Sequence, residues 1–321
     1  MKCCKIELLE EVFLIFGIDY LKEHFNHHQR YIIVAVLSMF LPFYMCGTVL
    51  LVLLVRLLYK GEIKEAYKQV PKSRYIVYFS LLSFIISLLY QNYYGAACSL
   101  GLLAILSFVL YYRIHITSEL FEFITNCIIV MSVVAAMYGL VVYMGILNSK
   151  DIDFFELHIY NKPQDRINSF FFNANYYAMM IEFFVCITFY RILKLDNVKT
   201  QFRKFFYYIC VIALNLFLLL LTACRTAWPT IVAGIIIMLI VDRHYKTCAC
   251  LFLCFLCVCV YFLLNPTQFP RVNNIVSYFM TRAGIWEVAI QNIKTHLLFG
   301  EGPMTYMHIY SLYNGHPTEH A

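Results

Sequence analysis

From residue 205 to residue 241 the chain runs for 37 positions with one charged side chain, Arg225. A helix rises ~1.5 Å per residue, so a single helix here would be ~55 Å long, against a hydrocarbon core of ~30 Å. The stretch must therefore fold back on itself. Its polar break is Thr222-Ala223-Cys224-Arg225-Thr226, and a helical hairpin is predicted there.

Six more apolar runs share this character: 31–59, 75–90, 93–112, 121–147, 170–193 and 247–264. The run 31–59 has Pro42 and Gly47 near its middle and is either one tilted helix or two short ones. Composition agrees: 62% of the 321 residues are hydrophobic and only 14% are charged. One soluble core cannot hide that much apolar surface, which excludes an ordinary soluble enzyme, a disordered chain and a nucleic-acid-binding module. The expected fold is an all-α integral membrane protein, a polytopic helical bundle with eight or nine crossings. Residues 1–264 form the transmembrane domain, and 265–321 begin a large extracytoplasmic segment that is itself helical. The 13 cysteines include five within 248–259, where they read as small apolar filler. A metal set would need thiolates in hydrocarbon, so no metal site is expected.

Positive charge orients such a chain. The surplus of 25 Lys and Arg over 19 Asp and Glu is +6, and it reads as topology and anionic-lipid contact. Two connections hold it: Lys60, Lys64, Lys68, Lys72 and Arg74, then Arg191, Lys194, Lys199, Arg203 and Lys204. Both are expected to be cytoplasmic, and the four runs between them return the chain to the same side. The connection 148–169, the Arg225 hairpin and the tail from Asn265 then fall outside. The N-terminus falls inside if 31–59 crosses twice.

Arg225 is the most informative residue. An arginine at membrane depth costs at least ~2.5–3.5 kcal/mol unless it meets water, protein or an anion. It either snorkels to lipid phosphates or binds an anionic group on a lipid-linked substrate, for which its two parallel donors are suited. Arg282 precedes Trp286, Ala289, Ile290 and Ile293, a spacing that predicts an amphipathic helix on the membrane or the bundle, with Arg282 on its first turn. Arg282 is either an anion ligand or a solvated capping residue. Gly300-Glu301-Gly302-Pro303 is a turn. Asn173 and Asn175 stand at the outer end of a crossing, where Asn175 either caps the helix or contacts a glycan. The outer histidines are His158, His296, His308, His316 and His320; the last two follow the arginine segment, and a neutral imidazole could take a proton from a sugar hydroxyl. Together these residues fit a group transfer from a lipid diphosphate, with neither cofactor nor metal. The alternative is a transporter or flippase for lipid-linked glycans, which should show charges at mid-membrane depth and repeated halves; a structural membrane protein comes third.

Three segments resemble one family. Phe170-Phe171-Phe172-Asn173-Ala174-Asn175-Tyr176-Tyr177-Ala178 is similar to its asparagine motif. Leu221-Thr222-Ala223-Cys224-Arg225-Thr226-Ala227-Trp228 is similar to its arginine hairpin, usually Thr-Gly-Ser-Arg-Gly/Thr-Ala. The stretch from Arg282-Ala283-Gly284-Ile285-Trp286 to Gly300-Glu301-Gly302-Pro303 resembles the start of its large exterior loop. The family is that of the O-antigen ligases and polysaccharide polymerases, bacterial membrane glycosyltransferases. The resemblance, from about residue 170 onward, implies a GT-C-like helical membrane fold in the bacterial cytoplasmic membrane. It implies transfer of a glycan from undecaprenyl diphosphate to an acceptor sugar hydroxyl, on a glycan or a lipid-linked acceptor, at the outer face. Carried over, Arg225 and Arg282 hold the diphosphate. The family's base histidine precedes an asparagine, often in His-Ala-His-Asn. The sequence here ends Thr318-Glu319-His320-Ala321, so His320 matches the first histidine of that string. An inactive, C-terminally truncated fragment is the corresponding expectation, unless His320 serves as the base itself.

Overall fold

A computed structural model describes residues 18–147, 153–154, 157–158, 166–171, 173–195, 199–224, 226–264 and 275–306, with the side chains of 43–44, 254–255, 258–259, 261–264 and 275–282, among others, left out. Apart from one antiparallel pairing of two-residue strands, β1 (Asp153–Phe154) and β2 (Leu157–His158), the described residues are helical. The all-α expectation holds at that level.

Every apolar run becomes helix, and the breaks fall where polar or special residues sit. The run 31–59 is two short helices, α1 (Ile18–His24) being followed by α2 (His27–Ser38) and α3 (Phe43–Tyr59). Asn26 starts α2 with a capping box: its side chain accepts from Gln29 N and Gln29 returns the bond to Asn26 N. Next come α4 (Glu62–Gln69), α5 (Arg74–Leu89), α6 (Tyr93–His115), α7 (Ser118–Leu147) and α8 (Ala174–Leu193). The long run ends as α9 (Phe202–Thr222) and α10 (Ala227–Val241), broken at the predicted site, and α11 (Tyr245–Leu264) and α12 (Ile275–Thr295) follow. Four helices among the described residues are long and apolar enough to cross a membrane, five if the bent pair α4–α5 counts as one span.

The chain divides into two compact units. Unit 1 comprises Met1–Leu53 and Ile116–Leu256; unit 2 comprises Leu54–His115 and Cys257–Ala321. Unit 1 is built on α7, α8 and α9. Ala135 and Ala136 of α7, Tyr177, Ile181 and Phe184 of α8, and Leu218 and Leu219 of α9 are fully buried. Small residues let the helices approach, and Asn215 of α9 donates to the Val211 carbonyl and to Ser132 Oγ of α7. The outward faces carry Phe183, Phe206, Phe217, Leu220 and Met144, all exposed. Such a surface is a liability in water and ordinary in lipid.

The α2–α3 turn does not reach the far end of this bundle. Phe40 stacks on Phe184 with ring centroids 5.6 Å apart, and Phe184 lies halfway along α8. Gln29, near the start of α2, donates to Thr117 just before α7. α2 thus runs from the Thr117 end to mid-depth, and the run 31–59 is two short helices, one of the two readings that the sequence left open.

In unit 2, α5 and α6 form a hairpin closed at Gln91–Asn92, pinned by a Ser83–Ser99 hydroxyl contact of 2.8 Å. α4 lies against α6, with Tyr111 OH donating to Glu62 at 2.8 Å. The nine cysteines whose side chains are described are free thiols.

Candidate functional site

The asparagine motif and the arginine hairpin meet at one end of unit 1. Asn173 is the N-cap of α8, its side chain accepting from Asn175 N and Tyr176 N at 2.9 Å. The capping reading of Asn175 is therefore corrected by two residues: Asn173 caps, and Asn175 is left free for another partner. Arg166 supplies it. Its Nη2 donates to Asn175 Oδ1 at 2.7 Å, and its Nε donates to the Thr222 carbonyl at 2.7 Å. Ile167 N donates to the Leu221 carbonyl at 3.3 Å, beside that bond. Ser169, at φ +52, anchors the same segment to α7 by donating to the Ala135 carbonyl at 2.8 Å. One arginine thus fastens the asparagine motif to the last turn of α9. Arg166 drew no attention in the sequence because its partner is a backbone carbonyl 56 residues away.

The hairpin is shaped by local bonds. The Thr222 hydroxyl donates back to the Leu219 carbonyl and accepts from Cys224 N. Ala223 then takes the left-handed conformation at φ +52. A side chain there costs ~1 kcal/mol, which explains why the resembling family places glycine at this point. α10 begins at Ala227. It runs parallel to α8 in constant register: Glu182 faces Thr230, Gly234 lies on Cys186, and Lys194 pairs with Asp242. By that register Ala227 comes level with Met179, five residues or ~7 Å inside the start of α8. The described residues of the hairpin are thus recessed below the rim formed by the start of α8. The N-termini of α8 and α10 both lie at this end, each presenting about half a positive charge, a setting that favours an anion.

The three residues assigned to chemistry are described in part or not at all. Arg225 and His320 lie outside the described residues. Arg282 lies in α12, whose start at Ile275 makes it the eighth residue of the helix and not part of the first turn; its side chain is outside what is described. The helix begins earlier than expected because apolar residues continue back to Ile275. It ends at Thr295, as predicted, and Gly300 and Gly302 make the turn with φ +65 and +93.

That turn docks within unit 2. Asn92 Nδ2 donates to the Pro303 carbonyl at 2.8 Å and to Thr305 Oγ1 at 2.7 Å. A Cβ on Gly95 or Gly302 would run into Pro303 or Ser87 respectively. His296 is engaged structurally, 3.3 Å from Glu301 and edge-on to Tyr90. His158 belongs to β2 with its side chain outside the description, as do His308 and His316 altogether.

Residues 166–169 of the connection predicted to be exterior thus meet 221–224 beside the hairpin, also predicted exterior, in unit 1. The basic connection that begins at Arg191 lies at the opposite end of unit 1, where Arg191 Nη2 donates to Glu122 at 2.6 Å and Lys194 to Asp242 at 3.0 Å. The Asp242 carboxylate holds the Lys194 ammonium above its ordinary pKa.

Sequence reading also passed over Glu182, the ninth residue of α8 and its only acidic one. Its carboxyl lies against Thr230 between α8 and α10, a depth of ~12 Å along the helix. A charged residue therefore also lies at depth within an apolar helix. The signal was present, since a carboxylate inside an apolar run is a functional candidate by default.

No curated protein and no solved structure matches the chain significantly. The profile of the O-antigen ligase family (Wzy_C) matches residues 210–321, a span that holds the hairpin, α10, α11, α12 and the Gly300–Pro303 turn. Proteins of this domain act in glycan transfer during polysaccharide biosynthesis, and several long apolar helices make this chain a multi-pass membrane protein. Over its C-terminal third, residues 210–321, the chain is similar to the O-antigen ligase domain.

Proposed function

We propose that the protein transfers a glycan from undecaprenyl diphosphate to an acceptor sugar hydroxyl at the outer face of a bacterial cytoplasmic membrane, as ligase or polymerase, through a GT-C-like bundle of eight or nine crossings. The acceptor oxygen attacks the anomeric carbon while the bond from that carbon to the phosphate oxygen breaks. The electron pair leaves with undecaprenyl diphosphate, and the hydroxyl proton passes to a base. Arg225 and Arg282 hold the diphosphate and stabilise its growing charge; His320 serves as base. Asn173 and Asn175 shape the rim, the first by capping α8 and the second through Arg166.

One observation carries this reading: the Arg166 bridge, which fixes the asparagine motif over a recessed hairpin with two helix N-termini beside it. That end is built for a negatively charged group, and no nucleotide is normally available outside the membrane. The transporter reading draws on Glu182 alone.

The test is polymer transfer in cells and in proteoliposomes given a lipid-diphosphate glycan. Arg225→Ala should lower transfer at least ~100-fold with membrane insertion intact, as expected for loss of one preorganised charge donor. Undiminished transfer in Arg225→Ala would overturn the proposal. So would loss of transfer only in Glu182→Gln, accompanied by blocked movement of the lipid-linked glycan.

A further inference from the structure

Opposite the hairpin end, unit 1 has a cavity of about 620 Å³ lined by Thr117, Glu122, Arg191, Lys194, Gln201 and Lys204, with Phe121 and Leu195 at its apolar side. We infer that this cavity holds the phosphate of an anionic membrane lipid, at a site separate from the glycan chemistry. The charge balance favours an anion: Arg191, Lys194 and Lys204 against Glu122 leave +2 on the lining. Internal pairing does not exhaust the donors. Arg191 gives Nη2 to Glu122 and also bonds Tyr208 of the cavity wall, while its buried Nε has no partner, and Lys204 makes no ion pair among the described residues. Lys194 is already shared with Asp242.

Two helices also begin at the cavity. α7 starts beside Thr117, which accepts from Leu120 N. α9 starts after Gln201, which makes no side-chain cap bond, so the first-turn N–H groups of α9 are open to an acceptor. A phosphate there would meet a helix N-terminus, an ammonium and a guanidinium together.

The occupant is a lipid rather than a free anion because the cavity wall is apolar beside its cations: Ile116, Phe121 and Leu195 line it, and Phe121 is exposed. A phosphate seated at Lys204 leaves its acyl chains against that side. The position suits the inner leaflet, since this end carries the basic connection.

The test compares the thermal midpoint of the purified full chain in neutral detergent with added phosphatidylglycerol, phosphatidylcholine or inorganic phosphate. Lys204 is exposed, so Lys204→Gln should fold. Its neighbour Arg203→Gln, exposed but outside the cavity, is the control for diffuse charge. Phosphatidylglycerol should raise the midpoint and phosphatidylcholine should not. Lys204→Gln should weaken the apparent affinity for phosphatidylglycerol about tenfold, the effect of losing one charge-assisted bond, while Arg203→Gln stays within about twofold. Equal protection by phosphatidylcholine, or equal loss in the two variants, would overturn the inference. Equal protection by inorganic phosphate would overturn the lipid assignment.

Discussion

At one end of unit 1, Arg166 directs its donors to a backbone carbonyl and a side-chain amide. At the other, Arg191 and Lys194 face carboxylates across an open cavity. Each end holds a cation, yet they differ in what the cation does. At the hairpin end the arginine is a strut with neutral acceptors, so its charge stays next to two helix N-termini. The cations at the cavity end are partly neutralised, and their geometry leaves space for a further anion. Bonds to neutral acceptors are insensitive to salt, whereas exposed ion pairs are screened by it. The two ends should therefore respond differently to the same perturbation.

The largest expected effect is at the strut. Arg166→Ala removes both bonds and exposes the Thr222 carbonyl, which should cost ~2 kcal/mol of stability. Arg166→Lys cannot reproduce the two-pronged reach and should recover little of it. Denaturation in detergent checks this at low and high salt. A loss that disappears at high salt would mean that Arg166 acts as a charge and not as a strut. Next is Asn173→Ala, which removes the cap of α8 and should cost ~1 kcal/mol. Asn175→Ala leaves the cap in place and should act only through Arg166, so combining it with Arg166→Ala should add almost nothing. Additive losses would break the proposed connection. The smallest effect is at the cavity end. The Glu122 side chain is 61% exposed, so Glu122→Gln should cost less than ~1 kcal/mol, and that only at low salt.

Much of this architecture was legible in the sequence, because the length and polarity of apolar runs are local properties. The fold-back at 222–226, the division of 31–59 around Pro42 and the Gly300–Pro303 turn each follow from residues within a few positions. The depth of the α2–α3 turn was not legible, since it depends on Phe40 meeting Phe184 across the bundle. Two asparagines two residues apart could each cap a helix, and only the backbone chooses between them. Arg166 sat in a connection that read as acidic and exterior, and its role exists only once that connection folds onto α9. The glycine preference of the resembling family at position 223 became intelligible only through the left-handed backbone of Ala223.

The central claim is that the hairpin end of unit 1 faces outward and the cavity end inward. Single cysteines at Thr226, exposed beside the hairpin, and at Lys199, in the basic connection, test it directly through a membrane-impermeant maleimide on intact cells. The label added above that of the parent chain is the readout. Cys at 226 should react in intact cells, and Cys at 199 only after the membrane is opened. Reaction at 199 but not at 226 would turn the molecule over and leave an outward-facing diphosphate transfer without its site.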